Sequence, residues 1–268
     1  MNESLLIKKN AIITGCNRGI GKSILVKLSA NGANCFACVR KTTDEFKDFC
    51  EKISIENNTK IKILELDLSN SESVKSCYQN ILKEERNIDI LINNAGVVHD
   101  SRLHMTTEKD LKNVFQINFF SQIIFTQMIS KEMLKKKSGK IIFISSTAAE
   151  RADEGRFVYA SSKAAIYSAV RTLSKELGNF SIQVNSVSPG LTNTDLTKKM
   201  KQDLLDGEIK KISLKRVAEP EEIANVVLFL CSKLSSYISG QNIKVDGGTF
   251  WILKKLKNFL NKLEKIYF

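Results

Sequence analysis

Short, nearly continuous apolar runs alternate along the chain with longer segments in which apolar residues recur at helical spacing. The apolar runs occupy residues 10–14, 34–39, 61–66, 88–92, 140–144, 182–187 and 242–245. Such runs are typical of strands buried on both faces, joined by helices that cross between parallel neighbours. The pattern therefore predicts an α/β fold with a Rossmann-like, doubly wound parallel sheet of about seven strands.

The amphipathic segments predict the connecting helices. The clearest of them cover residues 71–86, 107–137, 157–177 and 220–230. Thr107 and Asp110 have the spacing of a capping box, so we expect one long helix to begin there and run to about residue 137.

One segment interrupts the alternation. Residues 191–217 are polar, rich in lysine and without a strand pattern. We interpret them as a mobile lid with short helices over a ligand site. The lid would belong to a single Rossmann-type domain that spans residues 1–250, because no repeat or linker divides the chain.

The last residues, 251–268, form a basic amphipathic extension. Seven apolar residues recur at helical spacing, with five lysines and a single glutamate between them. One interpretation is a helix that packs on its own or a neighbouring subunit. The other is a weak contact of residues 252–268 with a membrane surface.

Composition and charge narrow the class of protein. Hydrophobic residues make up 43% of the 268 residues and charged residues 26%, as in globular chains with a substantial core. No apolar run is long enough to span a membrane, and six cysteines are scattered without a disulfide framework, so we expect a cytoplasmic location.

The net charge of +12 comes from lysines spread along the chain. Because no basic patch is interleaved with aromatic residues, we expect no nucleic-acid partner.

A glycine-rich turn follows the first strand. The sequence T-G-C-N-R-G-I-G runs from Thr14 to Gly21 and leads into an amphipathic helix. Gly15 permits a tight turn, and Gly19 and Gly21 let the backbone approach a pyrophosphate at the helix N-terminus. The context predicts a dinucleotide site.

The end of the second strand indicates which dinucleotide binds. In such folds an acidic residue there contacts the adenosine ribose and rejects a 2′-phosphate. This chain has Val39 and then Arg40, with Arg18 available from the glycine turn. Two guanidinium groups and no carboxylate favour NADP(H). The alternative is that both arginines are ordinary solvated residues.

A tyrosine and a lysine suggest proton-transfer chemistry. Tyr159 and Lys163 are four residues apart in a predicted helix, so they share one face. A neighbouring ammonium favours the phenolate, which would help the pair move a proton. By itself the pair is weak evidence, because such a spacing often occurs by chance and is then an ordinary surface contact. Asn118, which lies among apolar residues, is a further candidate for a defined polar role.

Together these motifs resemble the short-chain dehydrogenase/reductase family over roughly residues 8–250. The matching features, in chain order, are the glycine turn, Asp67, N-N-A-G at 93–96, Asn118, Ser146, Tyr159, Lys163 and the dipeptide Pro189-Gly190. Ser146 and Tyr159 have the family's spacing of thirteen residues.

The resemblance implies four catalytic residues. Tyr159 would donate a proton to the substrate carbonyl, and Ser146 would hydrogen-bond to its oxygen. Lys163 would lower the pKa of Tyr159 and bind the nicotinamide ribose. Asn118 would hold a water molecule in the proton relay. No metal is implied.

The resemblance also implies a set of cofactor contacts. Asp67 would pair with the adenine amine, and Thr192 would reach the carboxamide. The full set is Gly15, Arg18, Gly19, Ile20, Gly21, Arg40, Asp67, Leu68, Asn94, Ala95, Gly96, Tyr159, Lys163, Pro189, Gly190 and Thr192.

Within the family, the motifs are most similar to those of 3-oxoacyl-[acyl-carrier-protein] reductases. The expected activity is NADPH-dependent reduction of a 3-oxoacyl thioester, presented as a small molecule or on a carrier protein. Lys135, Lys136 and Lys137 would suit an acidic carrier. The alternative is a reductase or dehydrogenase of keto-sugars or other small ketones. The family also implies a homotetramer.

Overall fold

A computed structural model of the chain describes residues 4–151 and 153–249, and the extension 251–268 lies outside them. Seven parallel strands form one sheet in the order β3-β2-β1-β4-β5-β6-β7. They are β1 Asn10–Thr14, β2 Asn34–Val39, β3 Ile61–Glu65, β4 Ile90–Asn93, β5 Gly139–Ile144, β6 Ile182–Pro189 and β7 Asn242–Val245. The predicted fold is confirmed. The strand order reverses between β1 and β4, where such sheets bind ligands.

Ten α-helices are described, and most cross between strands. They are α1 Gly19–Ala30, α2 Asp44–Asn57, α3 Ser71–Glu84, α4 Glu108–Phe115, α5 Ser121–Lys136, α6 Ala148–Arg151, α7 Phe157–Gly178, α8 Asp195–Lys198, α9 Gln202–Ile209 and α10 Pro220–Cys231. Short 3-10 turns occur at Leu103–Met105 and Lys233–Ser235. None of these helices is long and apolar enough to cross a bilayer.

The core has two layers, one on each face of the sheet. Alternate residues of a strand point to opposite faces, so Ile13 packs with the helices α1 and α10 while Ile12 packs with α5 and α7. Cys35 and Cys38 are divided between the layers in the same way, and both thiols are free. The C-x-x-C sequence is therefore two separate core residues.

The predicted helix over 107–137 is interrupted. Thr107 and Asp110 form the expected capping box at the start of α4. A five-residue π-helix, Gln116–Phe120, then separates α4 from α5. Its buried residue is Asn118, whose side chain hydrogen-bonds to the backbone of Val97. A wide turn of this kind is often found at functional sites.

Residues 191–217 contain the short helices α8 and α9 and no strand. Two isolated bridges tie them to neighbouring residues, one between Thr192 and Ala218 and one between Ile212 and Thr249. We keep the name lid segment for residues 191–217. The segment lies over the glycine turn, because a Cβ built on Gly19 would be 3.4 Å from the Thr194 methyl group.

Candidate active site

The site lies at the carboxyl edge of the sheet. The strands β1, β4, β5 and β6 are neighbours there, and each is followed by one of the sequence motifs. Parallel strands end on the same edge, so segments far apart in sequence meet at one place.

The glycine turn is shaped by close packing. Gly15 has φ +67°, and a Cβ on it would lie 2.8 Å from Cα of Ala95. A Cβ on Gly21 would clash with the carbonyl oxygen of Gly15 and with Nδ2 of Asn94. Asn94 uses that Nδ2 to donate to the carbonyl oxygens of Thr14 and Gly15, both at 2.9 Å. Beside the turn, Ile20 packs on the core.

Thr14 ties the first and fourth strands together at this point. Its hydroxyl oxygen accepts hydrogen bonds from the backbone N–H groups of Asn94 and Ala95, both at 3.0 Å, and donates to the carbonyl of Ile92. Thr14 is the first residue of the predicted glycine-rich motif, although the motif assigns it no role. Its position at the last residue of β1 is the signal that could have identified it.

The adenosine end carries the predicted charged groups. Arg40 is exposed at the end of β2, and the buried Leu68 follows Asp67. Two hydrogen bonds from Ser69 hold the pKa of Asp67 below its usual value, with a smaller contribution from the charge of Arg40. Arg18 is exposed and pairs with Asp195 of the lid segment at 3.4 Å. Because exposed pairs are weak, Arg18 remains available to an anion.

Lys163 and Asn118 meet beneath Gly96. A Cβ on Gly96 would lie 3.2 Å from Oδ1 of Asn118 and 3.4 Å from Nζ of Lys163. Lys163 is only 3% exposed, and its ammonium donates to the carbonyl of Ile144 at 2.8 Å. Burial lowers the pKa of Lys163 to about 8.

Asn118 is held by the loop after β4. Its Oδ1 accepts from the N–H of Val97 at 2.8 Å, and its Nδ2 donates to the carbonyl of Val97 and to Oγ of Ser162. Ser162 in turn donates to the carbonyl of Tyr159 at 2.7 Å. Both amide hydrogens are therefore engaged, and the relay water stays a prediction. Sequence reasoning missed Ser162, which lies beside Lys163 on α7.

Tyr159 is a neutral acid in this arrangement. Burial raises its pKa, while a side-chain hydrogen bond with Ser146 and the charge of Arg156 lower it by less. The net direction is opposite to that expected from a neighbouring ammonium alone. Burial is thus the largest influence on this phenol, and the Lys163 ammonium donates to the carbonyl of Ile144.

Ser146 is fixed on both sides. Its hydroxyl oxygen accepts from the N–H of Ala148 at 3.1 Å, and its carbonyl accepts from the hydroxyl of Tyr167 at 2.9 Å. Tyr167 also hydrogen-bonds to Ser188. Tyr167 was not identified from sequence, although it lies eight residues after Tyr159 and so on the same face of α7.

The segment after β6 completes the edge. Gly190, which follows Pro189, packs so closely that a Cβ on it would lie 2.7 Å from Cα of Asp246. Thr192 is buried, and its hydroxyl donates to the carbonyl of Gly190 at 3.1 Å.

These residues fit a nicotinamide dinucleotide. The glycine turn presents backbone without side chains at the N-terminus of α1, which favours a pyrophosphate, and two exposed arginines flank the adenosine end. Lys163 and Tyr159 lie at the opposite end, beyond Asn94 and Gly96. Among the described residues, no group of three or more His, Cys, Asp or Glu side chains is placed to hold a metal ion.

Comparisons of sequence give a consistent result. Residues 15–249 match the family model described as enoyl-(acyl carrier protein) reductase. The 3-oxoacyl-[acyl-carrier-protein] reductase FabG of Chlamydia muridarum is 37% identical over 246 residues, which cover 91% of this chain and 98% of that protein. The protein of the same name from Aquifex aeolicus is 35% identical over 90% of this chain and 97% of its own length.

Solved structures share the fold. A protein from Beutenbergia cavernae, described as an NAD(P) dependent gluconate 5-dehydrogenase with bound NADP at low occupancy, matches with a TM-score of 0.86 and 27% identity. That match covers 92% of this chain and 98% of the other. A 7 alpha-hydroxysteroid dehydrogenase complexed with NADH and a 7-oxo bile acid matches with a TM-score of 0.85 and 30% identity, over 95% and 99% of the two chains.

Proposed function

The chain belongs to the short-chain dehydrogenase/reductase family, and from that premise we propose that it reduces 3-oxoacyl thioesters to 3-hydroxyacyl products with NADPH. As a family member it is an NAD(P)-dependent oxidoreductase. The observation that carries the proposal is the meeting of Ser146, Tyr159, Lys163 and Asn118 at one edge of the sheet, in a chain whose relatives are 3-oxoacyl-[acyl-carrier-protein] reductases.

The site residues have distinct parts in the reaction. When bound, NADPH supplies the hydride for the carbonyl carbon. Tyr159 gives its phenolic proton to the carbonyl oxygen, and Ser146 hydrogen-bonds to that oxygen as negative charge develops on it. Lys163 holds the nicotinamide ribose, and Asn118 keeps the loop at Val97 in place.

The preference for NADPH rests on charge. Arg40 and Arg18 are exposed at the adenosine end, and β2 ends without a carboxylate. Arginine suits phosphate because its planar guanidinium makes paired hydrogen bonds. The solved structures named above hold NADP in one case and NADH in the other, so the preference here rests on the two arginines.

A cavity beside the start of α7 supports the choice of an acyl substrate. A cavity of about 450 Å³ lies beside the start of α7, and it is lined by Arg102, Leu103, Asp153, Glu154, Gly155 and Phe157. Leu103 is exposed there, and its apolar side chain would pack against an acyl chain.

We also propose that the substrate arrives on an acidic carrier protein and that the enzyme is a cytoplasmic homotetramer. The net charge of +12 supports the acidic carrier. Two of the lysines expected to meet it are already paired, however, since Lys135 contacts Glu132 and Lys136 contacts Asp89, each at 2.7 Å. The tetramer is supported by Phe120, which is half exposed in the π-helix.

A second candidate activity is the oxidation or reduction of a small alcohol or ketone such as a sugar acid. This second activity is supported by the gluconate and hydroxysteroid dehydrogenases, which share the fold with TM-scores of 0.86 and 0.85.

A side-by-side assay tests the proposal. The full chain is given an acetoacetyl thioester or 5-ketogluconate, each with NADPH and with NADH, and the loss of reduced cofactor is followed. We expect kcat/KM for thioester with NADPH to exceed every other combination by about tenfold or more. A larger kcat/KM for the keto-sugar acid would favour the second activity, and equal rates with NADH would remove the preference for NADPH.

A further inference from the structure

The one-turn helix α6 follows the catalytic Ser146 and is held by ion pairs on two sides. Glu150 pairs with Lys244 of β7. Arg151 contacts Asp153 through Nε at 3.3 Å. Its Nη2 pairs with Glu208 of α9, which belongs to the lid segment. The helix therefore joins the sheet, the cavity wall at Asp153 and the lid segment.

The Arg151–Glu208 pair is better shielded from water than most pairs of the described chain. The side chains of Arg151 and Glu208 are 14% and 24% exposed. The Arg216–Glu222 pair, by comparison, is 53% and 39% exposed. Shielded pairs are screened less by salt, so this pair should hold α9 more firmly than an exposed pair would.

Arg151 is close in sequence to the catalytic Ser146. Arg151 is three residues after Ala148, and the N–H of Ala148 donates to the hydroxyl oxygen of Ser146. In a helix of only four residues, a displacement at Arg151 reaches Ala148 directly. The lid segment also has little other anchorage at α9, since none of the residues of α9 is buried.

We propose that the Arg151–Glu208 pair is a latch that holds α9 against α6 and so fixes the Ser146 hydroxyl for catalysis. Arg151 and Glu208 are positioning residues in this account. The proposal concerns the same site as the proposed function and takes its catalytic readout from that function. The latch itself is a property of the lid segment and is measurable without substrate.

The test compares two changes around one carboxylate. Glu208→Gln removes the charge that Arg151 contacts. Lys211→Gln is the matched control, because Lys211 is the other and more exposed partner of Glu208. For Glu208→Gln we expect faster hydrogen exchange in α9 and a loss of about ten- to a hundredfold in kcat. The dissociation constant of NADPH should stay within about twofold, since neither residue is placed among the cofactor contacts.

The latch would be overturned if α9 exchanged hydrogen at the same rate in Glu208→Gln as in the wild type. It would also be overturned if Lys211→Gln changed exchange and kcat as much as Glu208→Gln does. Arg151→Lys keeps the charge and loses the planar fork, so it should show an intermediate effect if Glu208→Gln proves unstable. In the double variant Arg151→Gln/Glu208→Gln the loss should be smaller than the sum of the single losses, because both changes break the shared pair. Arg151→Gln also removes the contact with Asp153, so its own loss should be the larger of the two. If the wild type fails to reduce the thioester, the proposed function fails, while exchange in α9 still decides the latch.

Discussion

Tyr159 and Lys163 lie one turn apart on α7, yet burial moves their pKa values in opposite directions. The pKa of Tyr159 is raised, and that of Lys163 is lowered to about 8. Burial favours the neutral form of each group, which explains both shifts. A protonated phenol at neutral pH is ready to give a proton, which matches carbonyl reduction.

Tyr159→Phe should therefore remove turnover and leave cofactor binding nearly intact. The change deletes one hydroxyl, and a positioned proton donor typically contributes about a hundred- to ten-thousandfold to the rate. Stopped-flow turnover and NADPH titration would measure the two quantities. Tyr78→Phe is the control, since the hydroxyl of Tyr78 faces Glu132, away from the site. Retained turnover would exclude Tyr159 from the mechanism.

Lys163→Met should stabilise the fold at neutral pH. The pKa of Lys163 is about 8 in the folded chain and about 10.4 in an unfolded one, so its charged form costs about 3 kcal/mol below pH 8. Between those two values the unfolded chain binds more protons, and the stability of the wild type rises with pH. The difference in melting temperature between Lys163→Met and the wild type should thus become smaller from pH 7 to pH 10. Parallel melting curves for wild type and variant would contradict this account.

Arg40→Ala should weaken NADPH far more than NADH. Losing a charge-assisted contact to the 2′-phosphate costs about 1.5–3 kcal/mol, which is about ten- to a hundredfold in the dissociation constant. NADH lacks that phosphate and should bind almost unchanged. Titration of both cofactors, with the exposed Arg171→Ala as a control, measures the ratio. Equal losses for the two cofactors would refute the assignment of Arg40.

At the scale of elements, the glycine turn depends on the contact between α1 and the loop after β4. Gly21→Ala places a methyl group against the carbonyl of Gly15 and the amide of Asn94. We expect a loss of about 1–3 kcal/mol and much weaker cofactor binding. Gly207→Ala is the contrasting change, because a Cβ there meets nothing within 4 Å, and it should stabilise α9 by about 0.4–1 kcal/mol. Thermal unfolding measures the melting temperatures of the two variants. Equal melting temperatures for Gly21→Ala and Gly207→Ala would contradict the packing argument.

The strands could be predicted from sequence because burial on both faces leaves an unbroken apolar run. The π-helix could not. The apolar spacing over 107–137 is that of one helix, and the interruption coincides with hydrogen bonds between Asn118 and Val97, a contact between distant parts of the chain. Local patterns do not record such contacts.

The same limit applies within the site. Motif spacing predicted side chains that the fold brings together, such as Asn118 and Lys163 beneath Gly96, and their catalytic roles stay predictions. Thr14, Ser162 and Tyr167 were missed because they act through hydroxyl groups that bond to the backbone of distant residues or of neighbouring turns. Hydroxyl side chains are common in any sequence, so their roles emerge only from the fold.

At the scale of the whole molecule, the last described residues are hydrogen-bonded to the lid segment. Residues 247–249 are bonded to the end of the lid segment, with Leu214 donating to the carbonyl of Gly247 and Ser213 to that of Gly248. The relatives named above are covered to 97–98% of their own length by about nine-tenths of this chain. The match to the family model likewise ends at residue 249.

Deleting residues 251–268 should therefore leave turnover and melting temperature nearly unchanged while altering association. The extension carries five lysines and one glutamate among apolar residues at helical spacing. Such a sequence binds another protein surface through its apolar residues, or an anionic membrane through both kinds of residue. Sedimentation mass and co-sedimentation with vesicles containing anionic lipid distinguish the two. Replacing the five lysines by glutamine in the full chain should reduce vesicle binding and preserve the mass. If neither mass nor vesicle binding responds to the deletion, both interpretations of the extension are wrong.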